Sequence, residues 1–274
     1  MKITTLIENS TNKSRPDLAA EHGVSFYIEH NEHVLMSDVG QSKRFAENAS
    51  RLGIDLSQVE VLAISHHHYD HGGGLDRFFK ENDQAKAYLR ESPDVDYIAE
   101  EDDGSVRYIG LDKGLLKAHS DRITYIQKHC EVLPGFHLLT DIPEEFPKPD
   151  SDQRLKVQRG DKIMADTFDH EIVTVLESEN GLVILTGCGH NGVLNMIAAA
   201  RKALPEKPIL AVIGGFHMLN EEEGAVRNVA EQLLEMPIPA IYTGHCTGED
   251  AVTILEDVLG DRLHRLHSGL EVTF

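Results

Sequence analysis

The stretch SHHHYDHGGGL, Ser65 to Leu75, holds His66, His67, His68, Asp70 and His71 and then runs into three glycines. Neutral imidazole and carboxylate are the ligand types of zinc and related divalent metals. In an extended turn, His66 and His68 project to one side and can share an ion, while Asp70 and His71 can turn toward a second and His67 points away. Gly72, Gly73 and Gly74 permit a tight exit and a close approach of backbone to ligand. Single histidines then recur in similar surroundings: His190 in TGCGHNG, His217 in IGGFHM and His245 in GHCTG.

Those positions imply elements that deliver them. Apolar runs of strand length occur at Val24–Ile28, Val34–Met36, Val59–Ile64, Ile172–Leu176, Leu182–Leu185, Ile209–Ile213 and Ala240–Tyr242. They are rich in Val and Ile and bounded by Gly, Asn, Asp or His, as strands are. Helical patterns lie between several of them, at Lys43–Leu52, Leu75–Lys80, Gly192–Ala203, Glu223–Leu234 and Glu249–Leu259. Alternation of this kind predicts α/β layers. Four of the strands, those before His66, Cys188, His217 and His245, stop at a small-residue turn followed by histidine. Sites in α/β sheets lie at the carboxyl ends of strands, so strands of one layer would gather these side chains. The segment from about 81 to 165 is less regular, with acidic loops and a proline-rich stretch, and is expected to be an insertion or cap on a single domain spanning 1–274.

Composition narrows the partners. The chain has 274 residues, 41% of them hydrophobic, and a formal net charge of −20. That charge leaves no basic excess to displace counterions from a nucleic acid, although bound cations would still let the protein take a small anionic substrate. Three cysteines, Cys130, Cys188 and Cys246, do not form a disulfide framework and point to a reduced, cytoplasmic setting. No apolar run approaches the ~20 residues of a membrane span.

The pattern His66-x-His68-x-Asp70-His71, after an apolar strand and before glycines, resembles the metallo-β-lactamase fold superfamily. LIEN (Leu6–Asn9), EHGVSFYIE (Glu21–Glu29), the DVG at Asp38, DTFDHE (Asp166–Glu171), TGCGHNG, IGGFHM and GHCTG are similar to one branch of it, the superfamily II metal-dependent hydrolases or dihydropterin–aminobenzene-phosphate synthase-like proteins. The resemblance implies an αββα sandwich: two mixed β-sheets face to face, helices outside, and the site along one edge. It assigns His66 and His68 to one metal and Asp70, His71 and His245 to another. The two ions would be divalent, zinc foremost, with iron or manganese as alternatives. Either His190 completes the first site and His170 faces substrate or supports a ligand, or His170 is the ligand and His190 lines the pocket. Cys188 stands where a bridging aspartate is usual in the superfamily, at the end of the strand that His170 precedes. Asp38 is expected to orient a ligand histidine, His22 to reach the pocket, Glu171 to brace the loop, and Cys246 to pack.

Two such ions would lower the pKa of a shared water and stabilise charge on the oxygen under attack. Asp70 would orient the resulting hydroxide and His217 would protonate a leaving group. The expected activity is metal-dependent hydrolysis of a small anionic ester, foremost a phosphoester. The alternatives are a phosphoribosyl-type synthase or transferase, and a metal-holding sensor or partner protein of low turnover.

Overall fold

The computed structural model describes all residues, 1–274. All seven apolar runs form strands and all five helical patterns form helices, with ends displaced by no more than two residues. Two seven-stranded mixed sheets result. The first runs in the order Glu271–Thr273, Lys2–Ile7, Ser25–His30, His33–Ser37, Val61–Ala63, Lys86–Arg90, Ile123–Ile126. The second runs Leu263–Arg265, Ala240–Thr243, Ile209–Gly214, Leu182–Leu185, Val173–Glu177, Phe136–Leu139, Cys130–Leu133.

Three apolar clusters fix the layer order. Phe26, Ile28, Leu35 and Val61 of the first sheet pack against Phe136, Leu176, Val183 and Ile213 of the second, so the sheets lie face to face. The outer face of the first sheet, through Leu6, Met36 and Leu62, buries Phe45, Ala49 and Phe78 of helices Arg44–Leu52 and Leu75–Glu81. The outer face of the second, through Val175, Ile184 and Val212, buries the apolar stripes of helices Val193–Ala203, Glu223–Glu235 and Glu249–Leu259. Each sheet thus hides one face in the common core and the other beneath helices, giving the αββα order.

The strand ends gather differently from the one-layer expectation. Leu182–Leu185, Ile209–Gly214 and Ala240–Thr243 are parallel neighbours in the second sheet, so Cys188, His217 and His245 leave it side by side. His66 leaves the first sheet, from Val61–Ala63. The site therefore sits at the seam between the layers, where Ile172 N–H donates to the Ser65 carbonyl at 2.7 Å. His170 and Cys188 are likewise separated by an antiparallel pair, Val173–Glu177 and Leu182–Leu185, rather than by one strand.

The middle segment is more regular than its sequence suggests. Lys86–Arg90 and Ile123–Ile126 extend the first sheet, and Cys130–Leu133 and Phe136–Leu139 the second. Lys162–Ala165, Leu155–Arg159, Asp96–Glu100 and Val106–Tyr108 form a separate four-stranded sheet. Much of it is open to solvent: Lys162–Ala165 and Val106–Tyr108 are exposed throughout. Its small core of Val95, Tyr97, Ala99 and Ile109 packs on Tyr69 of the histidine motif. Tyr69 N–H also donates to the Ile109 carbonyl at 2.9 Å, and Leu111 N–H to the His67 carbonyl at 3.0 Å.

Gly187 shows how tightly the seam is closed. Its φ is +66°, and a Cβ there would lie 2.3 Å from Ser65 Oγ. Gly53 has a similar φ of +74° but open space where a Cβ would sit. Both replacements by alanine carry the left-handed backbone penalty, and only the first adds a collision. Gly187→Ala is expected to destabilise by ~2 kcal/mol or more and Gly53→Ala by ~1 kcal/mol. Denaturant unfolding of the two variants checks this; equal losses would show that the Ser65 contact is immaterial.

Candidate metal centre

The motif divides into two conformations. His66 and His67 lie in a bend, His68 is extended at φ −89° and ψ 148°, and Tyr69–Gly72 then closes a short helical turn. The bend aims the early histidines and the later pair differently. Gly74 is pressed against the chain, since a Cβ there would stand 2.3 Å from the Val39 carbonyl oxygen. All the motif's histidines and Asp70 are buried.

Two groups of donor atoms join the motif to the strand-end residues, and two further ones, His68–Asp166–His170 and Asp152–His190–His217, flank them. His66, His68 and His190 make one, with ligand atoms within 4.8 Å of one another; Asp70, His71, Cys188 and His245 make the other. In the first, His66 Nε2 and His190 Nε2 face each other at 3.3 Å. In the second, His71 Nε2 lies 3.2 Å from His245 Nε2 and 3.0 Å from Cys188 Sγ. Asp70 Oδ2 stands 3.2 Å from His245 Nε2 and 3.4 Å from His71 Nε2.

The opposite ring nitrogens explain these orientations. His71 Nδ1–H donates to Asp38 Oδ2 at 2.7 Å, His190 Nδ1–H to Asp152 Oδ1 at 2.7 Å, and His245 Nδ1–H to Asn9 Oδ1 at 3.0 Å. His66 Nδ1 meets Ser65 Oγ at 2.9 Å, and that hydroxyl in turn donates to Asp38 Oδ2 at 2.8 Å. An acceptor on Nδ1 fixes the tautomer and leaves the Nε2 lone pair pointing inward. Lone pairs facing at such distances repel unless a proton or a metal cation lies between them. His68 Nε2 is buried with no partner, which otherwise costs about 1–3 kcal/mol.

The protonation states agree with that requirement at His66, His68 and Asp70 but not at His71. Burial and then the neighbouring imidazoles hold His66 and His68 well below the usual histidine range, so both are neutral. Burial pushes Asp70 up, but His71 and His245 outweigh it and hold the carboxyl well below its usual range. Burial lowers His71, yet Asp38 and Asp70 together raise it well above normal, so a proton stands among donors that would hold a metal. A cation entering the second group would displace the protons of His71 and Cys188, after which neutral imidazoles, an ionised carboxylate and a thiolate at such distances suit a divalent metal.

The other expected residues fall into place around this centre. His67 turns away, as its spacing predicts: its Nε2 meets the Arg90 carbonyl, and burial lowers its pKa to about 4. His170 is not gathered with His66 and His190. Its Nδ1 accepts the His67 N–H at 3.1 Å, so its Nε2 carries the proton, 3.1 Å from Asp166 Oδ2. His190 is thus the one whose Nε2 faces His66 Nε2, while His170 lies with His68 and Asp166. Glu171 braces the loop by accepting the N–H groups of Gly189, His190 and Asn191. His22 is half-exposed at the rim, its Nε2 3.3 Å from Asp70 Oδ2. Cys246 Sγ–H donates to the Cys188 carbonyl, outside both donor groups. His217 lies over His190, ring centroids 4.2 Å apart.

Asn9, Ser65, Ser151, Asp152 and Asp166 were not singled out by sequence reasoning. Asn9, Ser65 and Asp166 stand inside recognisable motifs that gave them no role of their own, whereas Ser151 and Asp152 lie in a proline-flanked segment without any pattern. Glu8, fully buried, accepts His245 N–H and Ser10 N–H, each at 2.5 Å. Asp38, Phe168, His217 and His245 all have φ between 47° and 58°. Non-glycine residues in that region mark strain, which concentrates at functional sites.

A model of the metallo-beta-lactamase superfamily matches residues 19–245. The chain belongs to this superfamily. It is 26% identical to 7,8-dihydropterin-6-methyl-4-(beta-D-ribofuranosyl)-aminobenzene-5'-phosphate synthase of Methanocaldococcus jannaschii, over 100% of this chain and 97% of that protein. The crystal structure of Tm1679, a metal-dependent hydrolase of the beta-lactamase superfamily, superposes with a TM-score of 0.83 at 27% identity, covering 100% of this chain and 99% of that one. Zn(2+)-bound PqqB from Methylobacterium extorquens shares the fold at a TM-score of 0.60 and 12% identity, with 100% of each chain covered. The superfamily's layered fold is thus the fold of this chain.

His68→Ala is expected to remove one metal per chain, and His67→Ala to leave metal content unchanged. Asp38→Asn should weaken metal affinity by ~10–100-fold. Elemental analysis and chelator competition on the purified variants check all three; equal metal loss at His67 and His68 would contradict the orientation argument.

Proposed function

We propose that the protein is a metal-dependent hydrolase with two divalent ions, zinc foremost, acting on a small anionic ester, in particular a phosphoester. The observation that carries this reading is the pair of adjacent donor groups opening on one cavity of about 890 Å³, lined by His68, Asp70, Cys188, His190, His217 and His245 among others. His66, His68 and His190 would hold one ion; Asp70, His71, Cys188 and His245 would hold the other. Such ions supply Lewis acidity, lowering the pKa of water from ~15.7 toward ~7 and offsetting charge on the oxygen under attack.

The chain's own groups do the rest. Asp70, ionised and beside His22, orients the attacking water by accepting its hydrogen bond. Burial lowers His217, but Asp152 beside it outweighs burial and raises its pKa to about 9, so at neutral pH it carries a proton to give to a leaving group. The anionic end of the substrate belongs at the donor groups, because the arginines lining the cavity are already paired: Arg107 with Glu101, Arg154 with Asp102 and Arg265 with Glu249. The cavity is far larger than a phosphate group, which leaves room for a bulky alcohol or amine portion.

A second reading, a phosphoribosyl-type synthase, is supported by the full-length similarity to the Methanocaldococcus jannaschii synthase. The same centre would then hold a phosphate or pyrophosphate leaving group while an aromatic nucleophile replaces water. Bis(p-nitrophenyl) phosphate separates the two. The hydrolase reading expects zinc-dependent release of nitrophenolate, abolished by chelator and by His66→Ala. No ester turnover, with pyrophosphate released from phosphoribosyl pyrophosphate only when an aromatic amine is present, would replace it with the synthase. Full metal content with neither activity would leave a binding protein.

A further inference from the structure

The short 3₁₀ turn Asp150–Arg154, between the proline-rich stretch and the small sheet, enters the site with two consecutive side chains. Asp152 is 8% exposed. Its Oδ1 accepts His190 Nδ1–H at 2.7 Å and lies 2.9 Å from His217 Nδ1. Ser151 grips the same His217 from the other side: its Oγ–H donates to the His217 carbonyl at 2.6 Å, and its oxygen lies 3.1 Å from His217 Nδ1. One carboxylate oxygen therefore serves a ring from the donor group and a ring above it. The second oxygen, Oδ2, is buried without a partner, so Oδ1 alone carries both contacts.

We propose that Asp152 is a positioning residue that ties His190 to His217, with Ser151 locking the second ring. The proposal deepens the hydrolase reading and rests on two of its assignments, His190 as ligand and His217 as the group facing substrate. Its physical content is geometric. His190 and His217 come from separate turns after neighbouring strands, and each could rotate about its own side-chain torsions. A shared acceptor on their Nδ1 atoms removes that freedom, directing His190 Nε2 at His66 and leaving His217 Nε2 to the cavity. Backbone alone would not hold His217 there, since its φ of 47° is one that non-glycine residues seldom adopt. The acceptor comes from the segment beside the small sheet, whose core packs on Tyr69. The small sheet and its flank thus touch the centre from both sides, through the motif backbone and through Asp152.

The test uses the full chain and zinc, with Asp152→Asn as the near-isosteric variant and Asp152→Glu as the conservative one. Chelator competition should show one of the two zinc sites weakened by ~10–100-fold in Asp152→Asn and the other unchanged, with partial recovery in Asp152→Glu. His217→Gln should leave both zinc affinities within ~3-fold of the parent, because His217 is not a ligand. Turnover of bis(p-nitrophenyl) phosphate at saturating zinc should fall in kcat rather than KM for Asp152→Asn, with little further loss in the double variant Asp152→Asn, His217→Gln. Wild-type protein with nitrogen-labelled histidine gives a readout that needs neither mutation nor activity. Zinc titration should shift the Nδ1–H resonances of His190 and His217 together. Zinc affinities unchanged in Asp152→Asn, or a His217 resonance indifferent to zinc, would overturn the proposal. Absent ester turnover with both of those readouts intact would overturn the hydrolase reading and leave the positioning role standing.

Discussion

Imidazole nitrogens that face one another across 3.2 to 3.3 Å, each backed by an acceptor on its other nitrogen, are the constraint around which the molecule is arranged. The backing acceptors hold one proton of each ring on the outer side, so facing nitrogens are relieved only by a second proton, as at His71, or by a metal. What remains is a buried concentration of lone pairs with one ionised carboxylate beside it. Isolated polar atoms of this kind are costly in a protein interior, and a divalent cation satisfies several at once. The acceptors Asp38, Asp152, Asn9 and Ser65 matter as much to the centre as the ligating atoms do.

Holding so many rings in mutual opposition requires rigid supports from several directions. Three parallel strand ends of the second sheet deliver Cys188, His217 and His245, and one strand end of the first delivers His66. The seam between the sheets brings those ends within reach, and the Ser65–Gly187 contact shows how little space is left there. Buried carboxylates stabilise the loops themselves: Glu8 binds the backbone at His245, and Glu171 binds the backbone at His190. Neither side chain joins the donor groups, yet each fixes the turn that carries a donor histidine. Four left-handed residues around the centre are the conformational cost of aiming side chains from such turns.

Most of this was legible in the sequence where hydrophobic periodicity or a motif carried it. The seven Val- and Ile-rich runs became strands because each is buried on one or both faces, and His67 turns outward as expected although it lies in a bend beyond its strand. The fold resemblance placed His66, His68, Asp70, His71 and His245 in two groups, and the structure gathers them in that way. Where long-range geometry decides, the sequence was silent or misleading. Nothing local shows that His170 spends its Nδ1 on the His67 amide, or that the strands ending at His66 and at His217 belong to different sheets. Asp152 was invisible because its segment has neither strand nor helix period, and its partners lie far away in sequence. The small sheet was missed for a related reason: much of it is exposed, and its small core packs on the motif rather than on the main layers.

The most direct test of the account is an anomalous-scattering experiment on crystals of zinc-loaded protein. The account predicts two peaks. One should lie within ~2.0–2.3 Å of ligand atoms from His66, His68 and His190, and the other within the same reach of His71, His245, Asp70 and Cys188. A zinc coordinated by His170 in place of His190, or replete crystals with no peak between the facing Nε2 atoms, would contradict it.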